Sequence, residues 1–110
     1  MVIVKRFDIC LVGLDPTLGS ELQKTRPCVI ISPDEMNLSK LKTIIIAPMT
    51  SMIREHFPAR VNIEFQNKKG QVALEQLRVI ARERVVKVLG EISSHKTKNE
   101  ILEVLKDMFS

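Results

Sequence analysis

The apolar residues of this chain occur in short runs separated by polar segments, which is the pattern of a protein built mainly from β-strands. Three runs are almost continuously apolar and rich in β-branched residues, and they lie at 7–14, 28–32 and 43–48. Such runs predict strands that are covered on both faces. Residues 61–65 alternate between apolar and polar, which predicts a half-exposed strand. Shorter runs predict further strands at 71–74, 77–81 and 85–92.

The segments between these runs carry turn and loop signals. Residues 67–70, which begin with Asn and end with Gly, predict a hairpin turn, and residues 82–84 predict a tight corner. Residues 33–37 predict a turn with a single turn of helix. Residues 51–59 are mainly polar and predict a second loop, with three apolar candidates as its anchors: Met52, Ile53 and Phe57.

The last part of the chain has the period of an α-helix. Its apolar residues recur at three- and four-residue spacing, as Ile101, Leu102, Val104, Leu105, Met108 and Phe109, and we expect this stripe to pack on the core. One start for the helix has Ser93 or Ser94 as its N-cap, and another has Thr97 with Glu100 as a capping box. Six or seven short strands and one terminal helix predict a single domain over residues 1–110, folded as a small β-barrel.

Composition narrows the classes of partner. The chain has 110 residues, 45% of them apolar, and a formal net charge of +4. That content is enough for one core, and the mild positive charge is compatible with a nucleic acid or an acidic peptide as partner. There are four Phe, no Trp and no Tyr, so stacking of bases on aromatic rings is not the expected main source of affinity.

The two cysteines give no sign of a disulfide or a metal site. Cys10 and Cys28 both lie inside apolar runs, which predicts reduced, buried thiols. No ligands stand at the spacing of a zinc site, and we expect no cofactor. The N-terminus does not resemble a signal peptide, and no apolar stretch approaches the ~20 residues of a membrane span. We therefore expect a cytoplasmic protein with no membrane partner.

Two junctions between a polar segment and an apolar run carry the candidate chemistry. Arg26 ends a loop rich in proline and hydroxyl residues, directly before an apolar run, and its planar fork of donors matches phosphate oxygens. Thr50 and Ser51 follow the isoleucine-rich run at 43–48. Together the junctions indicate phosphodiester chemistry on RNA. Taken one at a time, Arg26 also fits a surface salt bridge, and Thr50 a turn residue that binds its own backbone.

With these residues placed, the chain resembles the MazF/PemK family of toxin endoribonucleases of type II toxin–antitoxin systems. The matching motifs are Asp-Ile at 8–9, Leu-Asp-Pro-Thr at 14–17, Gly-Ser-Glu at 19–21, Lys-Thr-Arg-Pro at 24–27, Pro-Met-Thr-Ser at 48–51, Glu-Gln-Leu-Arg at 75–78, Arg84 and Gly-Glu-Ile-Ser at 90–93. They occur in family order and cover nearly the whole chain. Phe7 departs from the family, which usually has glycine there, and Ala73 stands where one branch uses a catalytic arginine.

The resemblance implies an SH3-like, strongly curved β-barrel with a C-terminal α-helix, assembled as a homodimer. It also implies sequence-specific, metal-independent cleavage of single-stranded RNA, with messenger RNA as the expected target. Attack by the 2′-hydroxyl leaves a 2′,3′-cyclic phosphate and a 5′-hydroxyl end. A cognate antitoxin would inhibit the enzyme by laying a disordered acidic segment over the RNA-binding groove, whose candidate cations are Lys24, Arg26, Arg54 and Arg78.

By the same resemblance, the catalytic residues are Arg26 and Thr50. The residues expected to bind RNA are Ser20, Gln23, Lys24, Ser51, Glu75, Gln76 and Arg78. For Glu75 an ion pair with Arg78 at the dimer surface is an equal alternative. His56 and His95 lie outside the family motifs, and we expect no catalytic role for them.

Two other functions stay open at this point. A toxin of the CcdB type shares the fold but inhibits DNA gyrase by binding, without nuclease activity. An RNA-binding module that has lost catalysis would also keep these motifs. Arg26 and Thr50 in their motifs favour the nuclease over the gyrase inhibitor.

Overall fold

All the predicted strands are present in the structure of the chain, a computed structural model that describes residues 2–14 and 25–110. The strands within these residues are β1 (Asp8–Gly13), β2 (Thr25–Ile30), β3 (Thr43–Thr50), β4 (Arg60–Phe65), β5 (Lys68–Ala73), β6 (Arg78–Ala81) and β7 (Val85–Glu91). The helices are the short α1 (Asp34–Asn37), the C-terminal α2 (His95–Met108) and two single turns of 3₁₀ helix at Leu74–Gln76 and Arg82–Arg84. The prediction of a mainly β fold with a C-terminal helix is confirmed.

The strands form one antiparallel sheet that curls into a half-barrel. Their order is β4-β5-β3-β2-β1-β7, and β6 also pairs with β3. The strand β3 is central because it uses different partners along its length. Residues 43–46 pair with β6, residues 46–48 with β2, and Met49 and Thr50 with β5.

Both faces of the central strands are buried, which explains why their sequences are almost continuously apolar. Along β2, Val29 joins one buried cluster with Ile9, Ala47 and Ile101, whereas its neighbours Cys28 and Ile30 join a second one on the opposite face. Successive side chains of a strand point to opposite faces. A strand with core on both sides therefore has no polar alternation, as the sequence pattern predicted.

The two cysteines lie in the second cluster. Cys10 and Cys28 are opposite each other on β1 and β2, and both are free and fully buried. Burial raises the pKa of each thiol to about 12, so both are neutral thiols at pH 7. The prediction that both cysteines are buried is confirmed.

The start of α2 follows the first of the two predicted patterns. The Ser94 hydroxyl accepts a hydrogen bond from the backbone N–H of Thr97 at 3.3 Å and is the N-cap. The alternative capping box at Thr97 and Glu100 is wrong, because Thr97 already lies inside the first turn. Ile101 is fully buried, Leu105 is half-buried and Met108 is 38% exposed, so the apolar stripe packs on the core only through its first part.

The predicted hairpin turn at 67–70 is placed too late in the chain. The strands β4 and β5 are joined by Gln66 and Asn67, both with positive φ (53° and 63°), and Lys68 already pairs with Phe65. A two-residue hairpin turn requires such backbone angles. Gly70 belongs to β5 instead and forms no part of the turn.

Phe7 occupies a strained position at the entry to β1. Its φ of 74° lies in the left-handed region, which residues other than glycine rarely adopt. The backbone there is held at both sides, since the Phe7 N–H donates to the Ile30 carbonyl at 2.8 Å and the Phe7 carbonyl accepts from Ile92 at 2.9 Å. This backbone geometry is one that glycine adopts at little cost, which agrees with the glycine that the family resemblance implies at this position.

Candidate active site

The pairing of β2 with β3 ends two residues short of the two predicted catalytic residues. In the pairing of β2 with β3, Val29 is opposite Ala47 and Cys28 is opposite Pro48. Continued by two residues, this register places Arg26 opposite Thr50. Arg26 is exposed and Thr50 is half-exposed, so both side chains can reach a ligand at this end of the strands.

The hydroxyl group of Thr50 is already oriented by its own loop. Its oxygen Oγ1 accepts a hydrogen bond from the backbone N–H of Met52 at 3.1 Å. A hydroxyl has one hydrogen to donate and two lone pairs, so this bond leaves the O–H free to donate outward. Thr50 is thus a turn residue whose hydroxyl binds the backbone of its own loop. This bond is compatible with a second hydrogen bond, from the Thr50 O–H to a phosphate oxygen.

A small cavity of about 210 Å³ opens beside Thr50. Pro27, Thr50 and Ser51 form part of its wall, and Lys68 and Lys69 lie on the side that belongs to β5. Both lysines are exposed. Sequence reasoning missed these two cations because it assigned them to the hairpin turn, although two adjacent lysines before a glycine were a visible signal of positive charge.

Gly70 allows the backbone of β5 to approach Thr50 closely. A Cβ atom at Gly70 would lie 2.6 Å from the carbonyl oxygen of Thr50, a distance at which the backbone must shift. Glycine is thus required here by the close contact of two strands. The position of Thr50 depends directly on this missing side chain.

The predicted RNA-binding residue Glu75 is engaged in an ion pair. Arg60 binds its carboxylate through two guanidinium nitrogens, with Nε–Oε1 at 2.9 Å and Nη2–Oε2 at 2.6 Å. Hydrogen bonding from Arg60 lowers the pKa of Glu75 below its ordinary value. The alternative of an ion pair at Glu75 is therefore realised, but with Arg60 in place of Arg78.

Gln76 and Arg78 are exposed next to this pair. Arg78 begins β6, where it is opposite Ile46 of β3. Although burial dominates the raised pKa of Cys28, the positive charges of Arg26 and Arg78 both act to lower it. Arg26 on β2 and Arg78 on β6 belong to strands that both pair with β3.

The loop 51–59, which we call the β3–β4 loop, borders a larger cleft of about 800 Å³. All three predicted apolar anchors, Met52, Ile53 and Phe57, are exposed, so that prediction is wrong. The ring of Phe57 is contacted by two guanidinium groups, those of Arg54 at 5.5 Å and Arg60 at 5.1 Å from its centroid. Both distances lie in the cation–π range. The two guanidinium groups therefore hold the Phe57 ring by electrostatic attraction as well as by apolar contact.

Some predicted residues cannot be placed or stay without a role. Ser20, Gln23 and Lys24 lie outside the described residues. His56 lies in the β3–β4 loop with a positive φ of 59°, and His95 is the first residue of α2.

In residues 2–14 and 25–110 we find no group of three or more His, Cys, Asp or Glu side chains arranged to hold a metal ion. Nor is any helix in these ranges long and apolar enough to cross a membrane.

The fold and the paired junctions define a class of small, curved β-barrel proteins with a polar site at the end of the central strand. Residues 5–109 match the model of a family described as PemK-like, MazF-like toxin of type II toxin–antitoxin system. The chain is also 32% identical to Endoribonuclease MazF9 of Mycobacterium tuberculosis, over 97% of this chain and 99% of that protein. The chain belongs to the PemK-like, MazF-like toxin family, and the resemblance predicted from its motifs is confirmed.

Solved structures support the same fold. MazF from Deinococcus radiodurans (Form-I) matches with a TM-score of 0.77 at 20% identity, over 99% of this chain and 98% of that one. A mycobacterial endoribonuclease solved in complex with its cognate antitoxin matches with a TM-score of 0.78 at 18% identity, over 96% and 94% of the two chains. At these identities the structural matches bear on the fold alone.

Proposed function

We propose that this toxin is a sequence-specific endoribonuclease that cleaves single-stranded RNA, with messenger RNA as its target, without a metal ion. The observation that carries the proposal is the β2–β3 register, which, if continued by two residues beyond Cys28 and Pro48, would set Arg26 opposite Thr50. The family match and the name of the mycobacterial relative support this activity over gyrase inhibition of the CcdB type.

The chemistry follows from what RNA itself supplies. The 2′-hydroxyl gives up its proton and its oxygen attacks the adjacent phosphorus, the bond from phosphorus to the 5′-oxygen breaks, and the leaving 5′-oxygen takes up a proton. The net change moves one proton from the 2′-oxygen to the 5′-oxygen, so the products are a 2′,3′-cyclic phosphate and a 5′-hydroxyl end. The protein has to stabilise the charge that grows on the non-bridging oxygens. Arg26 binds the phosphate and offsets that charge, while the Thr50 O–H donates to a non-bridging oxygen. Since a guanidinium group is almost never neutral at pH 7, Arg26 acts electrostatically and not as the base.

The RNA would extend from this centre along the cations and polar groups of the surrounding loops. Ser51, Lys68 and Lys69 lie beside Thr50 and are suited to backbone contacts. Residues expected to contact RNA further along are Ser20, Gln23, Lys24, Glu75, Gln76 and Arg78. Because Arg60 occupies both oxygens of Glu75, the exposed amide of Gln76 is the better candidate for hydrogen bonds to a base edge.

Two partners belong to this proposal. The toxin would act as a cytoplasmic homodimer, with RNA in a groove that both subunits shape. A cognate antitoxin would block that groove with a disordered acidic segment, attracted by the cations that attract phosphate. Support comes from the positive net charge of +4 and from the related toxin solved with its antitoxin.

Light scattering at micromolar concentration tests the dimer. A non-cleavable RNA analogue that lacks the attacking 2′-hydroxyl should displace an acidic antitoxin peptide.

The test of the activity is incubation of the purified protein with a long RNA in excess EDTA. We expect cleavage at a few short motifs, with cyclic phosphate and 5′-hydroxyl ends, and sequencing of the 5′-hydroxyl ends would define the motif. The Arg26→Ala protein, purified in the same way, controls for contaminating nucleases. Activity restored only by added magnesium or manganese would contradict the mechanism. Tight RNA binding without cleavage would support a binding module instead.

A further inference from the structure

Gln71 is a buried polar residue whose amide is fully used. It lies on β5 and is 4% exposed. Its Oε1 accepts from the backbone N–H of Arg54 at 3.0 Å and from Nη1 of Arg60 at 3.4 Å. Its Nε2 donates to Oδ1 of Asn62 at 2.9 Å and to the carbonyl of Arg54 at 3.3 Å. An amide has two hydrogens and two principal acceptor positions, and all four have partners here.

The orientation of this amide is fixed by the backbone of Arg54. The peptide N–H of Arg54 can only donate and its carbonyl can only accept, so a reversed amide would set donor against donor and acceptor against acceptor. Gln71 therefore binds one residue of the β3–β4 loop through both of its backbone polar groups. Such a pair of bonds fixes the loop at its middle, where no strand pairing is available.

The same residue is tied to the active site by the sheet. Gln71 is opposite Thr50 in the pairing of β3 with β5. Two hydrogen bonds therefore hold the loop within four residues of Thr50. In the first, the Met52 N–H donates to the Thr50 hydroxyl, and in the second, the Arg54 N–H donates to the amide of Gln71. Arg60, a further partner of the amide, contacts Phe57 in the second half of the loop.

We propose that Gln71 is a positioning residue that sets the conformation of the β3–β4 loop, and through it the binding and base preference of the RNA next to the cleavage site. This inference rests on the proposed endoribonuclease function. Thr50 itself keeps its place through backbone pairing with β5 and the close contact at Gly70. Loss of the Gln71 amide should therefore affect RNA binding more than the chemical step.

The first experiment measures the loop without using activity. Hydrogen exchange at the Arg54 N–H, followed by NMR, is compared in the wild type, in Gln71→Leu and in Val72→Ala. The control Val72→Ala removes buried methyl groups from the same strand and leaves the amide bonds in place. We expect the Arg54 N–H to lose protection in Gln71→Leu alone. Wild-type protection in Gln71→Leu would overturn the inference.

The second experiment measures cleavage by the same three proteins. For Gln71→Leu we expect KM to rise about tenfold, kcat to stay within about threefold, and the pattern of cut sites to broaden. Gln71→Glu, which keeps the acceptor but loses the donors, should show the same direction and serves if Gln71→Leu does not fold. KM and cut sites equal to those of Val72→Ala would overturn the inference. A wild-type protein that does not cut RNA would contradict the proposed function, while the exchange measurement would still test the loop.

Discussion

The two ends of β3 lie in different surroundings. At its beginning, Ile44 and Ile46 are fully buried, with β6 on one side, and Ile46 also pairs with β2. At its end, Met49 and Thr50 are half-exposed and pair with β5, close to the polar β3–β4 loop. The first end is positioned by apolar packing. The second is positioned by a few hydrogen bonds and one close backbone contact, which leaves side chains free for a ligand.

This difference implies that substitutions at the two ends should separate stability from activity. Packing loss acts on the whole fold, because the interior is dense and relaxes only partly. Loss of a donor at an exposed site acts on the reaction alone.

The largest expected effect is on stability, from Ile46→Ala. Truncation of this fully buried side chain should lower the free energy of unfolding by about 2–5 kcal/mol. Denaturant unfolding followed by circular dichroism measures the change. Activity per folded molecule should stay close to that of the wild type, and a large loss of activity in fully folded protein would contradict the separation.

At the other end, Arg26→Ala and Thr50→Ala should each reduce the cleavage rate by about two to three orders of magnitude, because each removes a donor that stabilises the transition state. The same unfolding measurement should show little change in stability. Arg26→Lys should restore little activity, since a point charge does not replace two parallel hydrogen bonds. Cleavage near the wild-type rate in either alanine variant would refute the site assignment.

Gly70→Ala should disturb the contact between the two strands at Thr50. The added methyl group would lie 2.6 Å from the Thr50 carbonyl oxygen, so we expect a loss of about 1–3 kcal/mol in stability and at least about a tenfold fall in kcat. Gly13→Ala is the matched control, because there the nearest atom is an ordinary 3.9 Å away. Equal behaviour of the two variants in unfolding and cleavage assays would rule out a special role for the Gly70 contact.

The smallest expected effect concerns the Arg60–Glu75 pair. The pKa of Glu75 is lowered in the folded state, so the ion pair stabilises the fold above the unfolded pKa of Glu75 and loses that contribution as pH falls through the folded one. Glu75→Gln should reduce stability by about 1 kcal/mol at pH 7 and by less in acid. Urea unfolding across pH measures this, with the exposed Glu103→Gln as control. A difference that grows towards low pH would contradict the assignment.

The sequence predicted those features that depend on local pattern. The runs at 28–32 and 43–48 indicated strands buried on both faces, and Ser94 was one of the two starts foreseen for α2. The motifs identified Arg26 and Thr50 as candidates, and the β2–β3 register, continued by two residues, would set them opposite each other.

The features that escaped prediction depend on contacts between distant residues. Gly70 looked like a turn residue, because its close approach to Thr50 exists only once β3 and β5 are paired. Glu75 binds Arg60 and not the nearer Arg78, since the partner is selected by the geometry of the folded strands and not by distance along the chain. For the same reason no pattern around Gln71 marked its bonds to Arg54.

The shared use of β3 also has a consequence for the order in which the protein is made. During synthesis Thr50 emerges before its neighbour on β5, and at ~5–20 residues per second Gln71 follows about 1–4 s later. The helix that buries Ile101 comes last. A nascent toxin therefore carries Arg26 and Thr50 well before it can hold them in place. A chain released before β5 is complete should be harmless to RNA.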